Sequence, residues 1–146
     1  DDLELHWRVN ALATLLMTKA YDAQHDGRVG GRVVWLTSGQ QQGPMHDEIA
    51  YATSKAALAG VTASVAADLV QRGIVLNTVN PGPVNTGYLD EGVFHTAERL
   101  AEIRERFPLG RFGEPDDPAR LIAWLVSDDA QWVVGQVLNT EGGFQH

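Results

Sequence analysis

Leu5, Val9, Leu12, Leu16 and Ala20 recur at three- and four-residue steps, a period that predicts a helix over residues 2–25. Gly27 to Gly31 interrupt it. The next apolar run, residues 32–37 (RVVWLT), is short and rich in β-branched side chains, which predicts a buried strand. Residues 38–45 are polar and contain glycine, and read as a loop. A second helix is expected from about Glu48 to Arg72, with Asp47 as N-cap and Gly73 as its stop. It is dense in small residues, among them Ala52, Ala56, Ala59, Gly60, Ala63 and Ala66, so another element can pack closely against it. Residues 74–79 (IVLNTV) predict a second strand. The following NPGPVNTG run, residues 80–87, suits neither a helix nor a central strand. A third helix is expected over about 93–107. A fourth should have Asp117 as N-cap, Pro118 as first helical residue and an end near Ser127. Val134 to Asn139 reads as a last strand. Apolar strands alternating with helices predict an α/β fold whose parallel sheet is covered on both faces.

Composition narrows the function classes. The 146 residues suffice for one domain with a modest core, and 44% of them are hydrophobic. No apolar stretch reaches the roughly 18 residues that would span a bilayer, and no secretory leader pattern is present, so no membrane partner is expected. The net charge is −8 and the basic residues are scattered, which argues against a nucleic-acid partner. The chain has no cysteine, hence no disulfide or thiolate metal site, which suits a cytoplasmic location. The histidines at 6, 25, 46, 95 and 146 form no i, i+3 or i, i+4 pair, and no metal site is expected.

The candidate chemistry lies in Tyr51-Ala52-Thr53-Ser54-Lys55, with Ser38 thirteen positions upstream. Residues spaced i, i+4 share a helix face. An ammonium there stabilises a phenolate and lowers the pKa of Tyr51 towards a working range for proton transfer. Ser38, just past a strand, can hold a carbonyl oxygen by donating a hydrogen bond. The rigid Pro-Gly-Pro segment follows the carboxyl end of a strand, where ligands bind in open α/β sheets. Taken alone, each feature has an ordinary explanation: a chance Tyr and Lys on one face, a loop serine capping a backbone group, a turn that ends a strand.

Together they match a family pattern. The serine, the Tyr51-x-x-x-Lys55 pair and the Pro81-Gly82-x-Val84-x-Thr86 loop occur in the order and spacing of the short-chain dehydrogenase/reductases. Asn10 in WRVN matches the helical asparagine of that family's catalytic tetrad, and NTVNP (77–81) resembles the strand-to-loop junction before the nicotinamide loop. GRFGEP (110–115) and the segment from Gly135-Gln136 to Glu141-Gly142-Gly143 resemble the end of the classical subgroup, most of all its 3-oxoacyl-carrier-protein reductase-like members. The likeness runs over essentially the whole chain.

The resemblance implies an oxidoreductase moving a hydride between NADP or NAD and a carbonyl or alcohol substrate, a 3-oxoacyl thioester among the candidates. Tyr51 is the implied general acid in reduction and base in oxidation. Lys55 lowers its pKa and binds the nicotinamide ribose, Ser38 orients the carbonyl, and Asn10 holds a water of a proton relay. Pro81, Gly82, Pro83 and Val84, with Thr86, are the implied contacts of the nicotinamide and its carboxamide. The substrate pocket is expected along residues 39–45 and 88–107, with Gln40, Gln41, Tyr88, Leu89 and Phe94 among its lining residues. Arg99, Arg104 and Arg106 are read as a solvated face interleaved with Glu98, Glu102 and Glu105.

The chain departs from the family in one respect. It opens with Asp1 directly in a helical pattern, and it contains neither the Gly-rich pyrophosphate turn nor the Asn-Asn-Ala-Gly strand. It is therefore read as the carboxyl-terminal part, residues 1–146, of a single Rossmann-like domain, carrying the last three strands with their helices. On that reading the first strand becomes an exposed edge and helix faces lose their cover. The isolated chain is expected to bind no dinucleotide and to associate. Two alternatives stand beside the enzyme reading. One is a catalytically incompetent fragment contributing only oligomer contacts, since the family's matching helices form a bundle between subunits in dimers and tetramers. The other is an extended-subgroup epimerase or dehydratase, disfavoured because the chain ends three residues after Gly143.

Overall fold

The computed structural model describes residues 2–93, 95–144 and 146. Among them the elements run α1 (Asp2–His6), a π-helical segment (Trp7–Leu12), α2 (Ala13–Gln24), β1 (Gly31–Leu36), α3 (Ile49–Val70), β2 (Ile74–Asn80), α4 (Ala97–Glu105), α5 (Asp116–Leu125) and β3 (Val137–Asn139). The sheet is parallel in the order β1-β2-β3, with Gly31 opposite Ile74 and Thr78 opposite Val137. This is a partial Rossmann-like fold.

The alternation of β1 and β2 divides the core in two. On one face Trp35, Ile74 and Leu76 pack on Leu58, Ala66 and Leu69 of α3. The small residues of α3 are what bring its backbone onto the sheet, and Ala66 is 1% exposed. Trp35 also reaches α2, donating its indole N–H to the Thr18 hydroxyl at 2.9 Å. On the other face Val79 packs with Leu125 and Ala130, and Val34, Leu121, Ile122, Val133 and Leu138 pack against that cluster. Every residue of β2 is buried, as expected of a central parallel strand. Its polar members are satisfied in place: the Thr62 and Thr78 hydroxyls pair at 2.7 Å.

Several boundaries differ from the sequence pattern. The first helix holds a π-helical stretch, which hydrophobic spacing does not reveal. Asp47 does not cap α3: Glu48 occupies the N-cap position and no side chain caps it. At α5 the N-cap position belongs to Pro115, two residues earlier than expected. Asp117 still takes an orphan amide, accepting the Glu114 N–H at 2.8 Å, but from inside the first turn. Thr96 caps α4, accepting the Arg99 N–H at 3.3 Å, so that helix starts later than 93. β3 is shorter than 134–139 because a side chain replaces part of the ladder. Asn77 donates to the Val133 carbonyl at 2.7 Å and accepts the Gln136 N–H at 2.9 Å.

Candidate active site

The carboxyl ends of β1 and β2 open onto the site, and each loop leaving them is tied down. Thr37, buried just beyond β1, donates its hydroxyl to the Lys55 carbonyl at 3.0 Å and its N–H to the Val79 carbonyl at 2.9 Å. The strand end is thereby fixed to α3 and to β2. Ser38 follows in an extended conformation before a single 3-10 turn, Gly39–Gln41.

After β2, Asn80 organises the next loop. Its amide donates to Asn139 and to Glu141, each at 3.0 Å, and its oxygen accepts the Gly82 N–H at 3.0 Å. Gly82 has φ +69°, and a Cβ there would lie 2.4 Å from the Glu141 Cβ. Only glycine fits this turn. The loop then pairs Val84 with Gly113 and runs into Asn85, whose oxygen accepts the Gly87 and Leu89 amides at 2.9 and 3.1 Å.

Ser38, Tyr51, Gly82, Pro83, Val84 and Thr86 line one cleft of about 780 Å³. Of the expected pocket residues, Tyr88 and Leu89 also line it, and Phe94 lies outside the described residues. Pro81 lines a smaller adjoining cavity of about 180 Å³, on which Pro83 also borders. Lys55 and Asn10 are not among the residues that line the cleft. The Lys55 ammonium is 5.8 Å from the centre of the Tyr51 ring and donates to the Leu36 carbonyl at 3.0 Å. Burial pushes Lys55 below the ordinary lysine value, because a desolvated ammonium loses hydration.

Asn10 reaches the site through Ser54. The Asn10 amide donates to the Ser54 hydroxyl at 3.1 Å, and that buried hydroxyl donates to the Tyr51 carbonyl at 2.7 Å. Asn10 lies within the π-helical segment, and such bulges frequently occur at functional sites. One turn earlier His6 lines the cleft, its ring edge-on to Tyr51 at 5.8 Å and its Nδ1 3.2 Å from the Asn10 amide. Sequence reasoning gave no role to His6, Thr37 or Ser54. Ser54 lies inside the Tyr-to-Lys motif, which was its only signal. His6 lies four residues before Asn10, a helical spacing that could have flagged it.

A hydroxyl acid and a loop serine on one cleft, with an ammonium near the acid, can hold a carbonyl oxygen and deliver a proton to it. The comparisons with known proteins agree with that class. A family model described as enoyl-(acyl carrier protein) reductase matches residues 1–145. The chain belongs to the short-chain dehydrogenase/reductase family. It is 38% identical over 144 residues to the uncharacterized oxidoreductase YjdA of Bacillus subtilis, covering 97% of this chain and 55% of that protein. It is 32% identical over 142 residues to the 3-oxoacyl-[acyl-carrier-protein] reductase FabG of Aquifex aeolicus, covering 97% and 56%. The crystal structure of BdcA in complex with NADPH superposes with a TM-score of 0.83 at 29% identity, covering 99% of this chain and 57% of that one. The chain thus spans about half the length of the curated relatives it matches.

Proposed function

We propose that these residues form the catalytic half of an NAD(P)-dependent oxidoreductase that interconverts carbonyl compounds and alcohols. One observation carries the reading: Ser38 and Tyr51 face the Gly82–Thr86 loop across a single cleft at the carboxyl ends of the strands. When bound, the nicotinamide supplies or accepts the hydride. The chain's own residues do the rest. The Pro81-to-Thr86 loop, held by Asn80, forms the nicotinamide platform, and Lys55 is within reach of the ribose side. Ser38 donates a hydrogen bond to the substrate oxygen and orients it. Tyr51 gives its phenolic proton to that oxygen in reduction and removes it in oxidation. The Lys55 ammonium stabilises the phenolate left behind. Asn10, its amide anchored on Ser54, holds a water of the relay by which the proton is replaced. A 3-oxoacyl thioester is one candidate substrate. The pyrophosphate-binding turn is absent from this sequence, so the 146 residues by themselves are expected to be inactive.

The test uses the protein expressed from its full reading frame, with NADPH and NADH and a panel of ketones, aldehydes and an acetoacetyl thioester. Turnover is expected, and Tyr51→Phe should lower it by about 10²–10⁴-fold, the usual worth of a positioned acid. Turnover unaffected by that substitution would remove Tyr51 from the role. A second reading, a non-catalytic part that supplies only contacts in a homodimer or homotetramer, draws on the exposed apolar side chains Leu5, Val9, Leu16 and Met17 of the amino-terminal helices. It predicts assembly without any turnover.

A further inference from the structure

The Asn10 side chain is held by two acceptors, and only one of them comes from the Tyr-to-Lys motif. Its amide nitrogen lies 3.1 Å from the Ser54 hydroxyl and 3.2 Å from His6 Nδ1. Proton counting settles which group donates. Ser54 has one hydroxyl proton, and it goes to the Tyr51 carbonyl at 2.7 Å. Towards Asn10 the Ser54 oxygen therefore accepts, and the NH2 end of the amide faces it. The second proton of the same NH2 goes to His6, whose Nδ1 must be bare to receive it. A neutral His6 ring then carries its own proton on Nε2.

An asparagine amide is easily turned, because its terminal torsion is broad. A single hydrogen bond to Ser54 leaves the group free to swing about that contact. Two acceptors on the two hydrogens of one nitrogen fix both its plane and its direction. With both donors engaged, Asn10 offers only acceptor oxygens to a water. His6 sits where it can do this. It is the N-cap residue of the π-helical segment that contains Asn10, with φ −59° and ψ −41°, so the helix itself carries one side chain towards the other. Its ring also lines the cleft and stands edge-on to Tyr51 at 5.8 Å. Position 6 therefore touches both the phenol and the asparagine.

We propose that His6 is a positioning residue for the reaction: by accepting the second Asn10 N–H at Nδ1, it fixes that asparagine in the orientation that serves the proton relay. The inference rests on the reductase reading and adds a residue to its relay. Two substitutions separate this role from simple packing. His6→Phe keeps a ring beside Tyr51 and removes the acceptor. His6→Asn removes the ring and puts a carbonyl oxygen at the place of Nδ1, where it can still accept from Asn10.

The test uses the protein expressed from its full reading frame, with NADPH or NADH and cyclohexanone, benzaldehyde or acetoacetyl-N-acetylcysteamine as the carbonyl probe. His6→Phe is expected to lower kcat by about tenfold, within the roughly hundredfold that a misplaced group can cost. KM for the carbonyl and the dinucleotide should stay within about twofold, since no substrate contact is removed. His6→Asn should recover most of the lost kcat. In an Asn10→Ala background His6→Phe should cost nothing further, because both changes remove one function. Should His6→Phe fail to fold, His6→Leu removes the same acceptor with a smaller side chain. Full kcat in the acceptor-less variant, no recovery in His6→Asn, or losses that multiply in the double variant would overturn this inference, while Tyr51-dependent turnover leaves the reductase reading intact. An Asn10→Ala enzyme with unchanged kcat would overturn the relay and this inference with it. No Tyr51-dependent turnover of any probe would overturn both this inference and the reductase reading.

Discussion

Lys55 and Gly82 show how much single residues are constrained at this site. Burial holds Lys55 below its ordinary value of 10.5, so the folded chain binds that proton less tightly than the unfolded one. Its folded-state value being depressed, stability rises with pH from that value up to 10.5, and the cost of the buried cation is present in full below it. Lys55→Met should therefore leave the melting temperature at pH 7 unchanged or raised, while turnover falls by about a hundredfold or more. A variant that unfolds would assign Lys55 to the structure rather than to the chemistry. Gly82 is constrained by space as well as by its φ of +69°. Gly82→Ala must displace Glu141, which is also the partner of Asn80, so the whole loop shifts. The expected readout is a KM for the dinucleotide raised by about tenfold or more, with a destabilisation of about 1–3 kcal/mol.

At the scale of elements, the alternation of strands and helices was legible because apolar periodicity is local and strong. The helix starts were less so. Capping depends on where a side chain's oxygen points, and Asp47 and Asp117 both look like caps in the sequence. Asp117 shows what the structure does with such a residue. It accepts two hydrogen bonds from Arg111, at 2.6 and 2.9 Å, besides the Glu114 amide. Arg111 chiefly, with that amide, holds its carboxyl well below the usual carboxylate range. A depressed folded-state value means the contribution is complete above 3.8 and is lost as pH falls below it. Asp117→Asn should lower the melting temperature at pH 7, with the difference from wild type shrinking in scans below about pH 4. A difference independent of pH would assign the effect to geometry instead. The π-helical segment around Asn10 was not legible in the sequence, because the steps from Leu5 to Val9, Leu12 and Leu16 are equally those of an unbroken α-helix.

For the molecule as a whole, the exposed surfaces are as telling as the core. β1 lies at one edge of the sheet, and Leu36 at its end is 45% exposed. On the amino-terminal helices Leu16 is 55% and Met17 72% exposed. A free strand edge beside apolar helix faces is a surface that seeks a partner. The 146-residue chain alone should sediment as dimers or larger species, and Leu16→Lys with Met17→Lys should shift it towards monomer. A wild-type chain that stays monomeric at high concentration would refute this. By itself the sequence determined the family and the α/β class and picked out Ser38, Tyr51 and Lys55 as candidates, because those depend on residue type, order and local period. Only the tertiary structure decided which of them share a wall. It placed Ser38 and Tyr51 on one cleft with the Gly82–Thr86 loop, and left Lys55 and Asn10 out of its lining, with the Lys55 ammonium 5.8 Å from the Tyr51 ring. It linked Asn10 to Tyr51 through Ser54 and brought His6 against the phenol. Such contacts join residues distant along the chain, and they exist only once the sheet and its helices have packed.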